Sequence, residues 1–168
     1  MRLRWTRAKG AGVAEAVYVA VVGPGRDVSP DLLAEAKDVG RLLAQEGCTV
    51  VTGGLGGVME AASQGAYAEG GLTVGLLPGS SRTEGNDFLT VALPTGLGEM
   101  RNALVVRSCH VVICVGGSWG TLSEVALAVR TGVPVVALHG WQLPEGLHAA
   151  DDAVTAVRTA MALVSDQP

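Results

Sequence analysis

Runs of apolar, β-prone residues recur along the chain and predict the strands of a sheet. Each run is nearly continuous and does not alternate with polar residues, which is typical of parallel strands that are buried on both faces. The five runs are Val17–Val22, Thr49–Thr52, Leu72–Leu77, Val111–Val115 and Val133–Leu138.

Helical patterns lie between these runs and after the last one. In the first, Leu32, Ala36 and Val39 lie at the spacing of one helix face, and Ser29 before Pro30 is a helix start signal. The alternation of strands and helices predicts an α/β fold, a Rossmann-like doubly wound parallel sheet flanked by helices. The predicted helices are about Pro30–Gln45, Val58–Ala68, Met100–Arg107, Leu122–Arg130 and Asp151–Leu163.

The start of the chain differs in charge from the rest. Four of the 12 basic residues lie in the first nine positions, and the first acidic residue is Glu15. Residues 1–14 are therefore predicted to be a basic mobile tail, and residues 15–168 a single Rossmann-like nucleotide-binding domain. Residues 10–168 keep eight basic against 16 acidic residues, a net charge of −8, which disfavours nucleic acid as a partner.

The composition excludes several classes of protein. Of the 168 residues, 48% are hydrophobic and 17% charged, which excludes an intrinsically disordered chain. No apolar run approaches the ~20 residues of a membrane helix, so we expect no membrane partner and a cytoplasmic location. Cys48, Cys109 and Cys114 form no CxxC pair and are expected to be reduced, buried thiols.

Lysine is scarce, and this limits the chemistry available. The chain has only Lys9 and Lys37, and neither position offers the desolvated lysine that a Schiff-base enzyme needs. A pyridoxal-phosphate-dependent lysine decarboxylase is therefore excluded, and no Walker A triplet is present. Because His110, His139 and His148 lack ligand spacing with cysteines or carboxylates, we expect neither a metal nor a bound cofactor.

Glycine-rich loops follow the predicted strands at the edge where such sheets bind ligands. The first, Gly23–Arg26, is consistent with a tight turn or with the close approach of a phosphate. The second, Thr52–Glu60, holds four glycines between a buried strand and a helix, and it predicts backbone N–H groups that face an anion. It lacks the last glycine of the dinucleotide GxGxxG motif.

The third loop, Val115–Glu124, also follows a buried strand and begins a helix. Thr121 and Glu124 are three residues apart and therefore share one helix face. Two interpretations stay open: the pair binds a ligand, or it forms a capping box with Thr121 at the N-cap and Glu124 three positions later.

Arg101 and Asn102 lie in the first turn of the helix predicted at Met100–Arg107. A positive charge at a helix N-terminus opposes the helix dipole, so local structure alone does not favour arginine there. A phosphate or carboxylate ligand would explain it, and we expect both residues to contact such a ligand.

Together these motifs resemble the Lonely Guy family of phosphoribohydrolases, long mislabelled as lysine decarboxylases. The resemblance covers roughly residues 17–138 and rests on the second glycine loop, Arg101-Asn102 and the third loop, in that order. It implies a Rossmann-like homodimer that cleaves the N-glycosidic bond of a nucleoside 5′-monophosphate to base and ribose 5-phosphate.

The resemblance also assigns roles to residues. Glu124 falls on the family's catalytic glutamate and Arg101 on its motif arginine. We expect a bound anion in a cleft between Gly53–Gly57 and Ser118–Thr121, whose helix N-termini are predicted to converge at adjacent strand ends. The expected phosphate- or nucleotide-binding residues are Gly23, Gly53, Gly54, Gly57, Asn102, Gly117, Ser118, Gly120 and Thr121.

Several positions depart from the Lonely Guy pattern. Asn102 replaces the lysine after the motif arginine, and Gly116, Ser118 and His110 also differ. These differences resemble the neighbouring branch of molybdenum-cofactor carrier proteins, which bind a phosphorylated pterin without turning it over.

Three functions therefore stay open. In a phosphoribohydrolase, Glu124 would orient the ribose hydroxyls or activate water. The alternatives are a non-catalytic carrier of molybdenum cofactor or another phosphorylated ligand, and a nucleotide sensor.

Surface features add three expectations. The apolar block Ala103–Val106 is too wide for one helix face, which together with the resemblance predicts a homodimer through helices near 58–68 and 100–107. Trp119 covers the ligand's base in one interpretation and packs on the neighbouring subunit in another. Residues 79–86 are predicted to form a flexible loop near the mouth of the site.

Overall fold

The computed structural model describes residues 16–141, 143 and 146–167. Within them, seven strands form one all-parallel sheet in the order β4-β3-β2-β1-β5-β6-β7. The central strand β1 places Ala20 opposite Val51 of β2 and Val112 of β5. The strands are β1 Tyr18–Val22, β2 Thr49–Thr52, β3 Thr73–Leu77, β4 Val91–Pro94, β5 Val111–Val115, β6 Val135–Leu138 and β7 His148–Ala150. The predicted mobile tail, residues 1–14, lies outside the described residues.

Helices cover both faces of this sheet. One face packs on α1, α2 and α5, and the other on α3 and α4. Within the described residues, every helix is too short or too polar to cross a lipid bilayer. The helices are α1 Pro30–Gln45, α2 Val58–Ala68, α3 Asn102–Arg107, α4 Trp119–Thr131 and α5 Ala153–Ser165, with 3-10 helices at Arg82–Glu84 and Gly98–Arg101.

Successive side chains of the central strands enter two different cores. Val19 and Val21 pack towards α1, α2 and α5, whereas Ala20 and Val22 pack towards α3 and α4. Both sets are buried, so a central strand of this sheet favours apolar residues on both of its faces. The predicted fold class is therefore confirmed.

Two local predictions need correction. The apolar runs did not reveal β4 or β7, which are short strands at the two edges of the sheet. Helix α4 begins at Trp119, three residues before the predicted start. The segment 79–86, predicted as a flexible loop near the mouth of the site, contains the 3-10 helix Arg82–Glu84 with a capping box at Ser81, and Pro78 directly before it lines the candidate cleft described below; its flexibility stays a prediction.

Helices α1 and α2 approach each other at two glycines. A Cβ atom at Gly40 would overlap the backbone carbonyl of Ala62, and one at Gly65 would overlap that of Lys37. Since both obstacles are backbone atoms, a side chain at either position forces the helices apart.

We expect Gly40→Ala to lower the free energy of unfolding by about 2–3 kcal/mol, the cost of overpacking a rigid contact. Chemical denaturation would measure the loss. Gly120→Ala in α4 is the matched control, because its Cβ would lie 3.8 Å from the nearest atom, Ser118 Oγ. The control should gain up to about 1 kcal/mol from the lower entropy of the unfolded chain. Equal stability of Gly40→Ala and wild type would contradict this packing.

The chain order of the strands reverses next to β1. From β1 the chain adds β2, β3 and β4 on one side, and then returns to place β5 on the other side. Sheets of this kind bind ligands at the carboxyl ends of the strands at such a switch point.

Candidate functional site

A cleft of about 300 Å³ lies at the switch point between β1 and β5. Loops after β1, β2, β3 and β5 meet there with the 3-10 helix Gly98–Arg101. Its lining residues are Gly23, Gly25, Leu55, Met59, Pro78, Gly98, Glu99, Arg101, Asn102, Ser118, Gly120, Thr121 and Glu124.

The N-terminus of α4 forms one wall of the cleft. Ser118 is the N-cap: its Oγ accepts a hydrogen bond from the Thr121 N–H at 3.2 Å and pairs with Thr121 Oγ1 at 2.8 Å. The N–H groups of Trp119 and Gly120 precede the first intrahelical donors, and the described residues offer them no acceptor. Such N–H groups, together with the helix dipole, favour an anion.

Arg101 and Glu124 face each other across the cleft floor. Each residue is only 7% exposed, and Arg101 Nη1 lies 3.9 Å from Glu124 Oε1. Arg101 Nε is buried without a hydrogen-bond partner in the described residues. The guanidinium therefore keeps unused donors next to the lining of the cleft.

Burial governs the protonation of this pair. Loss of solvation raises the pKa of Glu124 to about 7, although the neighbouring Arg101 charge opposes the rise. Burial also lowers the pKa of Arg101 from its ordinary value, and Glu124 opposes that shift. Arginine nevertheless stays protonated near neutral pH. The cleft therefore holds a fixed positive charge beside a carboxylate whose pKa lies near neutral pH.

Gly53 is needed to seat this arginine. A Cβ atom at position 53 would overlap the Arg101 guanidinium, so the loop after β2 can lie against the cation only with glycine there. The loop is itself held by Asn86, whose Nδ2 donates to the carbonyls of Gly54 and Leu55 at 3.2 and 3.0 Å. Gly53 therefore packs against the Arg101 guanidinium without itself lining the cleft.

The structure brings some of the sequence-predicted site residues together and leaves others outside the cleft lining. Those in the lining are Gly23, Arg101, Asn102, Ser118, Gly120, Thr121 and Glu124. Those outside it are Gly53, Gly54, Gly57 and Gly117. Gly117 instead lies against the indole of Trp141, and Gly57 has a positive φ of 64° and packs on Pro24 and Gly25. The prediction of adjacent strand ends is wrong, because β1 lies between β2 and β5.

The capping-box interpretation of Thr121 and Glu124 is also wrong. Ser118 caps α4, which makes Thr121 the third helical residue and moves Glu124 into the second turn. Glu124 has no capping role there, and its side chain faces Arg101.

Sequence reasoning missed six residues of the lining: Gly25, Leu55, Met59, Pro78, Gly98 and Glu99. Gly25 and Leu55 lie inside the glycine loops, so their positions directly after predicted strands were an available signal. Pro78 follows a predicted strand in the same way. Glu99 lies two positions before Arg101 in a turn whose orientation depends on distant contacts.

Two large apolar side chains are exposed near the cleft. Trp119, 80% exposed, lies next to Trp141 with ring centroids 5.6 Å apart, and Met100 is 78% exposed. Neither lines the cleft. His139, at the end of β6, lines a separate acidic cavity with Asp31 and Glu35.

The chain is similar to one protein family and to solved structures of molybdenum-cofactor proteins. The sequence model of the SLOG cluster4 family, LDcluster4, matches residues 16–164. A molybdenum cofactor binding protein from Rippkaea orientalis has 36% sequence identity and a TM-score of 0.85, over 90% of this chain and 99% of that one. The molybdenum cofactor carrier protein from Chlamydomonas reinhardtii has 33% identity and a TM-score of 0.81, also over 90% of this chain and 99% of that one. An uncharacterized protein from Archaeoglobus fulgidus is 37% identical over 141 residues, 84% of this chain and 92% of its own length.

Proposed function

Because the chain belongs to the SLOG cluster4 family, we propose that its cleft binds and carries a molybdenum cofactor or a related phosphorylated pterin. The resemblance to the branch near the molybdenum-cofactor carriers is confirmed by the family match and by the similar solved structures. Those structures favour the carrier over the phosphoribohydrolase as the function of this chain.

The observation that carries this proposal is the meeting of Arg101 with the N-terminus of α4 in one cleft. Free N–H groups and a guanidinium with unused donors match a phosphate group, because each supplies charge-assisted hydrogen bonds to its oxygens. The similar proteins that bind or carry molybdenum cofactor support a pterin as the rest of the proposed ligand.

Phosphoribohydrolase activity is the second candidate, and Glu124 favours it. A buried carboxylate with a pKa raised to about 7 can exchange a proton near neutral pH, as a general acid or base must. In this candidate, Glu124 acts on the ribose while the α4 N-terminus holds the 5′-phosphate.

One experiment separates the candidates. The protein is produced in cells supplied with molybdate, and molybdenum and fluorescent pterin oxidation products are measured in the purified sample. A carrier should retain both in amounts that follow the protein concentration, and Arg107→Ala, at the exposed end of α3, should retain them equally. The same sample is incubated with nucleoside 5′-monophosphates, and released base is separated by chromatography.

The outcomes are distinct. Release of free base without molybdenum or pterin would contradict the carrier proposal and favour the hydrolase. Nucleotide binding without release of base and without molybdenum would favour the nucleotide sensor.

A homodimer stays a prediction, and the structure changes which surface supports it. The apolar side chains of α2 are mostly buried within the protomer, against α1 and the sheet. Leu97, Met100 and Leu104 are exposed on and beside α3, so this surface is the better candidate for contact with a second subunit.

A further inference from the structure

The charges that line the cleft oppose the entry of a doubly charged anion. Among its described lining residues, Arg101 is the cation, and Glu99 and Glu124 are the carboxylates. With both carboxylates ionised this lining carries a net charge of −1, and with Glu124 protonated it is neutral. A dianion is therefore better accommodated when Glu124 holds a proton.

The contact between Arg101 and Glu124 is loose enough to change. At 3.9 Å, their nearest atoms lie beyond direct hydrogen-bond distance. Arg101 also keeps an unpartnered buried Nε within the described structure. The guanidinium can therefore bind an anion at the α4 N-terminus without first breaking a hydrogen bond to Glu124.

The elements around Glu124 offer few other charges. The 3-10 helix carries Glu99 and Arg101, and α3 carries Arg107 at its exposed far end. Strand β6 has no titratable side chain, and burial keeps Cys114 of β5 a neutral thiol by raising its pKa to about 12. Arg101 is thus the positive charge that interacts with Glu124 and that a bound anion would also contact.

We propose that Glu124 takes up a proton when a dianion binds beside Arg101, so that the cleft binds dianions more tightly as the pH falls. The inference rests on the anion site of the proposed function. It adds that this site accepts its ligand with Glu124 protonated. A dianion next to Glu124 disfavours the ionised carboxylate, and by linkage the proton favours the dianion to the same extent.

Sulfate is a suitable probe, because it keeps its double negative charge throughout the pH range used. We expect its affinity for the wild-type protein to fall about tenfold between pH 6 and pH 8, as the Glu124 of the free protein loses its proton. Calorimetric titrations near pH 8 in buffers of different ionisation enthalpy should show net proton uptake for each sulfate bound.

Glu124→Gln should show no proton uptake and nearly the same sulfate affinity at pH 6 and pH 8, and at pH 8 it should bind more tightly than wild type. Glu99→Gln is the matched control, because it removes the exposed carboxylate of the same lining. It should bind sulfate somewhat more tightly at every pH while keeping the pH dependence and the proton uptake.

The linkage between proton and sulfate binding is tested separately from the anion site itself. Sulfate binding by wild type without proton uptake, or uptake that persists in Glu124→Gln, would overturn this inference and leave the anion site standing. No sulfate binding at either pH would overturn the inference and the anion site together. The wild-type measurement decides the matter even if the Glu124→Gln protein does not fold.

Discussion

Replacing Arg101 with alanine should weaken the binding of sulfate and of phosphorylated ligands about a hundredfold. Arg101 is the cation of the described cleft lining, and it is almost fully buried. Charge-assisted hydrogen bonds in such a desolvated position are stronger than those at an exposed surface, and truncating one partner typically costs several kcal/mol. Isothermal titration at pH 6, where Glu124 is mostly protonated, would measure the loss.

Arg107→Ala is the matched control for this prediction. Arg107 lies at the other end of α3 and is exposed, so its substitution removes the same positive charge without changing the lining of the cleft. Thermal unfolding of both variants checks that the fold persists, which we expect for Arg101→Ala because the remaining Glu124 can become neutral by taking up a proton. An equal loss of affinity in the two variants would contradict the prediction. It would show that the ligand responds to the net charge of the protein and not to Arg101 in the cleft.

The second large effect is on the pH dependence of stability. We expect the wild-type free energy of unfolding to fall between pH 5 and pH 8 by about 2–3 kcal/mol more than that of Glu124→Gln. The reason is that Glu124 has a pKa of about 7 in the folded protein, against the ordinary value of 4.5. Urea denaturation at several pH values would measure the difference.

The sign of this effect follows from proton binding. Between the two pKa values the folded state binds more protons than the unfolded state, so a rise in pH favours unfolding. The contribution is fully present below about pH 4.5 and is lost as the pH rises through 7. The lowered pKa of Asp152 acts in the opposite sense and at more acidic pH, outside this range. A wild-type curve parallel to that of Glu124→Gln would mean that Glu124 is ionised throughout.

The edge strands show one limit of prediction from sequence. The central strands are mostly apolar because both of their faces are covered, and this pattern is visible in the chain itself. Strand β4 exposes Val91 and Leu93 and ends in Pro94, and β7 has three residues of which two are exposed. At a sheet edge fewer side chains are covered, and both strands are short: β4 offers three apolar residues before Pro94 and β7 only two alanines after His148, which is too little pattern to predict a strand.

The start of α4 shows a second limit. Ser118 and Thr121 are both good N-cap residues, and the local sequence permits a helix that begins after either one. In the structure Ser118 is the cap, and Glu124 in the second turn faces Arg101. That contact joins residues 23 positions apart on different elements, so no local pattern encodes it.

By itself, the sequence determined the alternating strands and helices, the parallel sheet and the loops that could hold an anion. These follow from periodicity and from the preferences of neighbouring residues, which are local properties of the chain. Tertiary structure alone decided that Gly53 lies behind Arg101, that Arg101 faces Glu124, and that both side chains are buried. The protonation of Glu124 depends on desolvation and on a distant charge, and both exist only after the elements have packed together.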